Sequence, residues 1–98
     1  MREDRQRLDK WLWFARFAKT RTLAAKLAND GFVRVNGQRA DVAKPLAVGD
    51  VVTIATTRDT SVVRVLALGT RRGPATEAQS LYAVLRDDAA LVTDGSRR

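Results

Sequence analysis

The sequence has 98 residues, 45% of them hydrophobic and 30% charged, with 18 Lys and Arg against 11 Asp and Glu, neither His nor Cys, and a formal net charge of +7. At about 100–200 residues per domain this is one domain with a modest core, so a one-piece binding module is expected rather than a two-domain enzyme. Without Cys and His there is no disulfide, thiol nucleophile, thiolate zinc site or imidazole base, and the excess of positive charge points to a polyanionic partner.

The apolar stretch over residues 11–18 is interrupted by Arg16, and no window approaches the roughly 18 apolar residues of a membrane span. The expectation is a soluble, cytosolic protein with no membrane partner and no small-molecule cofactor. The composition is globular, although residues 93–98 are too polar to pack. Residues 1–39 carry ten Lys and Arg against four acids, a net of +6, whereas residues 40–98 carry eight against seven. Such asymmetry is expected when one structural unit holds the contact surface.

Over residues 7–17, Leu8, Trp11, Leu12 and Ala15 fall at helical spacing and predict a first helix. Trp13 lies on its flank among Asp9, Lys10 and Arg16, placed either to stack on a base or to be covered by a later segment. The usual burial of Trp favours the second. Thr20 is suited to cap a second helix whose apolar stripe is Leu23, Ala24, Leu27 and Ala28, and Gly31 ends it. The opposite face carries Arg21, Thr22, Ala25, Lys26 and Asn29.

Residues 32–35 alternate as a short strand, and Asn36-Gly37 is a strong two-residue hairpin signal, so residues 38–40 should turn back. Lys44-Pro45 reads as a loop and Val48-Gly49-Asp50 as a turn that starts a strand over 51–56. A polar turn around Arg58-Asp59 separates this from a strand over 62–68, and the two should pair in a small, mainly antiparallel sheet. A basic loop follows over 69–74. Ala78, Leu81, Tyr82 and Leu85 then share helical spacing, which predicts a third helix over 77–85, placed to cover Trp13 or Phe17.

Two helices followed by a hairpin can converge several cations on one face, as a phosphate backbone requires. In order and spacing, Arg7-Leu8-Asp9-Lys10-Trp11-Leu12, Lys19-Thr20-Arg21-Thr22-Leu23-Ala24 and Gly31-Phe32-Val33-Arg34-Val35-Asn36-Gly37-Gln38-Arg39 resemble the S4 RNA-binding domain, over residues 7 to about 55. Two groups within that family are similar. The opening Arg-Leu-Asp-Lys-Trp-Leu-Trp is similar to the small bacterial heat-shock proteins that bind free large ribosomal subunits carrying a nascent chain. Residues 77–85 are similar to the minimal S4 proteins of bacterial ribosome-associated quality control. The heat-shock group continues into a long basic C-terminal extension that this sequence lacks.

The resemblance implies an α+β fold of the S4 type: two N-terminal helices, a small antiparallel sheet and a C-terminal helix. It implies a flexible basic N-terminus over 1–6, an S4 domain over 7–69, a basic loop and helix over 70–90 packing on it, and a disordered tail over 91–98. It further implies a noncatalytic, monomeric protein on the large subunit that contacts ribosomal RNA and peptidyl-tRNA and stabilises stalled complexes. The expected RNA-binding positions are Arg7, Lys10, Arg16, Lys19, Thr20, Arg21, Lys26, Arg34, Asn36 and Arg39, with Gly31 and Gly37 structural; the loop Arg71-Arg72 is placed either to add a secondary contact or to be a solvated loop. Recognition by such a face follows RNA architecture rather than a base code.

Two other classes fit less well. An enzyme would need a catalytic domain, a cofactor loop or a spaced acid pair after residue 60, and Asp87-Asp88 on a helix would point about 100° apart. A DNA-binding helix-turn-helix would need base-reading side chains on the second helix, and Arg21, Thr22 and Lys26 do not form such a series.

Overall fold

The computed structural model describes residues 4–55 and 59–89. Leu8, Trp11, Leu12 and Ala15 are all buried, as their spacing requires. The helix that presents them, α1, runs over Leu8–Phe14 and follows a two-residue strand β1, Gln6–Arg7. It stops earlier than the expected residue 17 because Arg16 takes the left-handed conformation, with φ at +67°. The Phe17 N–H then donates to the Leu12 carbonyl and the Arg16 N–H to that of Trp13, the paired bonds of a Schellman ending.

Helix α2, Arg21–Asn29, ends in the same way. Gly31 (φ +85°) is its left-handed residue, and Phe32 and Gly31 donate to the Leu27 and Ala28 carbonyls. At the other end the Thr20 hydroxyl accepts from the Leu23 N–H at 3.1 Å, as expected of an N-cap. Ala24 and Ala28 are fully buried, and these small side chains let α2 lie close against α1.

Strands β2 (Val33–Val35) and β3 (Gln38–Arg39) form the predicted hairpin, with Asn36 and Gly37 both at positive φ, as a tight type I′ turn requires. The strands β5 (Val51–Ala55), β6 (Asp59–Val65) and β7 (Tyr82–Ala89) complete a five-stranded antiparallel sheet in the order β3-β2-β5-β6-β7. Val33, Val35, Val52, Ile54, Val63 and Val65 line its inner face and join the helix residues in one core.

Three expectations change here. Pro45 belongs not to a loop but to β4 (Pro45–Leu46), which pairs with β1 and places Leu46 at zero exposure. The strand expected over 62–68 begins at Asp59 and ends at Val65. Arg58, half of the expected turn, lies outside the described residues, as does the tail over 91–98. The third helix is present but short: α3 spans Ala75–Ala78, a single 3-10 turn spans Gln79–Leu81, and the remainder is β7. Residues 78–85 carry a spacing that fits a helix, but from Tyr82 on the open edge of β6 offers the backbone a ladder of hydrogen bonds, and tertiary pairing overrides propensity.

That strand, rather than a helix, covers Phe17: the Tyr82 ring lies 4.8 Å from it and 6.4 Å from Trp11. Trp13 stacks on Phe14 at 5.3 Å and stays half-buried. The connection from β6 to α3 is bound to α1. Trp11 Nε1 donates to the Ala67 carbonyl at 3.0 Å, and the Gln6 amide clamps both backbone groups of Gly69, at 2.8 and 3.0 Å. Gln6, at the end of the N-terminal stretch expected to be flexible, is thereby an anchor.

Gly69 approaches Phe14 so closely that a Cβ would lie 2.5 Å from the ring. Gly69→Ala is therefore expected to overpack this contact at a cost of about 1–3 kcal/mol, read as a lower urea midpoint. An unchanged midpoint would show that the clamp is slack.

Candidate nucleic-acid interface

Asp9 sits in the first turn of α1 and its side chain is only 6% exposed. Its oxygens face cations from two different elements. Arg7 Nε lies 3.1 Å from Oδ1 and Arg7 Nη2 3.2 Å from Oδ2, while Arg21 Nε, from the first turn of α2, lies 3.7 Å from Oδ2. The two guanidiniums are themselves half exposed, at 50% and 45%. A buried carboxylate needs such partners, and meeting that need brings the starts of both helices together with two cations at the surface.

The hydrogen bond with Asp9, and then its charge, hold the Arg7 pKa above the ordinary guanidinium value. A raised cation pKa adds stability that is fully present below the ordinary value and lost only as pH rises through the folded one. Arg7 is thus a constant cation throughout the neutral range. Two guanidiniums against one carboxylate leave the cluster net positive, and the fork geometry of arginine suits phosphate oxygens.

The other sequence-selected residues fall into distinct places. Lys10, one residue beyond Asp9, lies over the Phe14 ring at 5.6 Å. Lys19 and Lys26 are exposed and flank an apolar groove of about 500 Å³ beside α2, with Lys26 paired to Asp30 at 3.0 Å. Arg34 projects from β2 with its neighbours Val33 and Val35 buried. Lys10, Lys19 and Lys26 thus lie on the two helices and the segment between them, whereas Arg34 lies on the sheet face turned away from them, outside the single face that the sequence leads one to expect.

Six side chains are committed to contacts within the fold. Thr20 caps α2. The Asn36 amide accepts from the Val51 N–H at 2.9 Å and donates to Asp50 at 3.3 Å, fixing the hairpin tip to β5. Arg39 donates to the Asn29 carbonyl at 3.0 Å and lies over Gly31, a cation at the negative end of α2. Arg16 Nε donates to the Gly73 carbonyl at 2.7 Å, and Arg72 reaches the Ala18 carbonyl. Arg71 pairs with Glu77 at 2.8 Å, so the basic loop is tied to α1 and α3. Sequence reasoning missed Asp9, whose signal is a lone acid between Arg7 and Lys10. Among the described residues no His, Cys, Asp or Glu cluster could hold a metal, and no helix is long and apolar enough to cross a membrane.

Thr20→Ala separates a cap from a contact. Loss of the cap is expected to cost about 0.5–2 kcal/mol of stability, read by urea denaturation, with RNA affinity unchanged once the protein is fully folded. A weaker RNA complex at unchanged stability would make Thr20 a direct contact.

The S4 domain model matches residues 6–52. The chain is 43% identical over 82 residues to a heat shock protein 15 homolog of Haemophilus influenzae, covering 84% of this chain and 63% of the relative. It is 45% identical over 76 residues to heat shock protein 15 of Escherichia coli, covering 78% and 57%. The chain thus spans about three fifths of the length of these relatives. It is 32% identical over 82 residues to the RQC P-site tRNA stabilizing factor of Bacillus subtilis, covering 84% of this chain and 94% of that protein. Among solved structures, the trimeric Vibrio cholerae heat shock protein 15 superimposes with a TM-score of 0.78 at 41% identity, covering 83% of this chain and 82% of that one. With both helices, their endings and the hairpin all inside the matched segment, and with the Bacillus subtilis relative covered almost end to end, the chain belongs to the S4 domain family.

Proposed function

We propose that this chain is a noncatalytic RNA-binding protein of the cytoplasm that binds the large ribosomal subunit, contacts ribosomal RNA and peptidyl-tRNA, and assists rescue or quality control of stalled nascent-chain complexes. The observation that carries the reading is the Arg7–Asp9–Arg21 cluster: two half-exposed guanidiniums, one from the residue before α1 and one from the first turn of α2, aligned by one buried carboxylate. The names of the relatives support the ribosomal setting, since one is a factor that stabilises P-site tRNA. In this reading Arg7 and Arg21 grip phosphates, Lys10, Lys19 and Lys26 extend the field, Arg34 lies apart on the outer face of the sheet, and Thr20, Asn36, Arg39 and Arg16 hold the elements that present the first group. The chain is proposed to act as a monomer.

Cosedimentation with purified ribosomal subunits across a salt series tests this. Wild type is expected to pellet at one copy per large subunit, to prefer subunits bearing peptidyl-tRNA, and to lose affinity steeply between 50 and 200 mM salt, the behaviour of several phosphate contacts. Arg7→Ala/Arg21→Ala is expected to bind at least about tenfold more weakly and to flatten the log–log salt slope by about 1.4–1.8, two contacts' worth. Equal pelleting with both subunits, with duplex DNA competing as well as structured RNA, would reduce the chain to a general polyanion binder. Three copies per subunit would overturn the monomer.

A further inference from the structure

The strands that bury Val33, Val52, Ile54, Val63 and Val65 against the helices turn the alternate residues to the other face of the sheet. Arg34 in β2 is opposite Thr53 in β5, Thr53 is opposite Val62 in β6, and Val62 is opposite Arg86 in β7. One row on, Arg64 lies between Val51 and Ala83. Arg34 and Arg64 are exposed, and among the described residues neither has an ion-pair or hydrogen-bond partner. Strand spacing puts their Cα atoms roughly 12 Å apart. In β7 the acids Asp87 and Asp88 fall opposite Ser61 and Thr60, beyond Arg86.

These two differ from the other arginines of the fold. Arg7 and Arg21 pair with Asp9, Arg71 pairs with Glu77, and Arg16 and Arg72 hold backbone carbonyls. Arg39, directly opposite Arg34, would repel it as a like-charged cross-strand neighbour, but its guanidinium is drawn away to the Asn29 carbonyl. Arg34 and Arg64 are left as cations on rigid strands, above a floor of small uncharged residues that a nucleic-acid backbone can approach closely. Their complement is a row of phosphates.

We propose that the outer face of the sheet is a second RNA-backbone contact surface, formed by Arg34 and Arg64 with Arg86 alongside, separate from the Arg7–Asp9–Arg21 cluster. It rests on the RNA-binding reading above and adds a second face to it.

Arg34→Ala/Arg64→Ala, with Arg34→Glu/Arg64→Glu beside it, tests the proposal against purified large subunits and a structured RNA hairpin. Neither side chain touches the core, so the melting temperature should hold. The alanine pair is expected to bind large subunits about 5–20-fold more weakly and to lower the salt slope by about 1.4–1.8, with the charge-reversed pair weaker still. Wild-type failure to bind either RNA would remove the underlying reading. Wild-type binding that both pairs match in affinity and slope would overturn the sheet-face proposal alone. Unchanged RNA binding together with lost binding to poly-glutamate would assign the face to an acidic protein partner and overturn it equally.

Discussion

A carboxylate taken out of water is costly unless cations and hydrogen bonds replace the solvent, and Asp9 meets that demand with guanidiniums from the end of β1 and the start of α2. The constraint reaches in several directions. It fixes how the start of α2 sits against the start of α1. It also sets the register of the entering chain, where the Asp9 N–H donates to the Val42 carbonyl and the Leu8 N–H to that of Lys44, satisfying amides that a helix start leaves without partners. The same contacts seat β4 beside β1 and place Leu46 beneath α1. Arg7 and Arg21 are consequently held rather than floating, which reduces the side-chain entropy lost when they engage phosphate.

The rest of the fold keeps that arrangement rigid from the opposite end of α1. Trp11 fills the core with its ring and ties the chain after β6 with its indole N–H. Gln6 clamps Gly69, and Arg16 and Arg72 bridge the ending of α1 and the loop over 69–74 in both directions. Because that loop leads through α3 into β7, the same bonds position the last strand of the sheet and the Tyr82 ring that covers Phe17. Basic residues here divide their work: some are struts, others are presented to solvent, and net charge alone does not distinguish them.

Features written in short stretches of sequence were legible. The stripe Leu8, Trp11, Leu12 and Ala15, the Thr20 cap, the Gly31 ending and the Asn36-Gly37 turn each follow from local geometry and stand where expected. The two-residue pairing of β1 with β4 was not, because nothing in Gln6 or Pro45 announces a partner about forty residues away. The segment 78–85 carries a helical spacing that is kept only as far as Leu81, and the open edge of β6 draws Tyr82 onward into a strand. At the site, Arg7 and Arg21 were legible as cations. Their common anchor was not, since Asp9 lies on a charged flank and Arg21 reaches it only through the packing of α2 on α1. Asn36 and Arg39 read in the sequence as contacts, and the partners that make them struts, Asp50, Val51 and Asn29, emerge only in three dimensions.

The account stands on Asp9 acting as the positioning residue for both arginines, and a double-mutant cycle of Asp9→Asn with Arg21→Ala, read as affinity for large ribosomal subunits, tests it most directly. Simple electrostatics predicts that removing an acid beside RNA tightens binding. The account predicts the reverse: Asp9→Asn weakens binding in a protein that urea denaturation shows to be folded, and the double variant loses less than the two single losses combined, by a coupling on the order of 0.5–3 kcal/mol. Tighter binding by Asp9→Asn, or two losses that simply add, would contradict it.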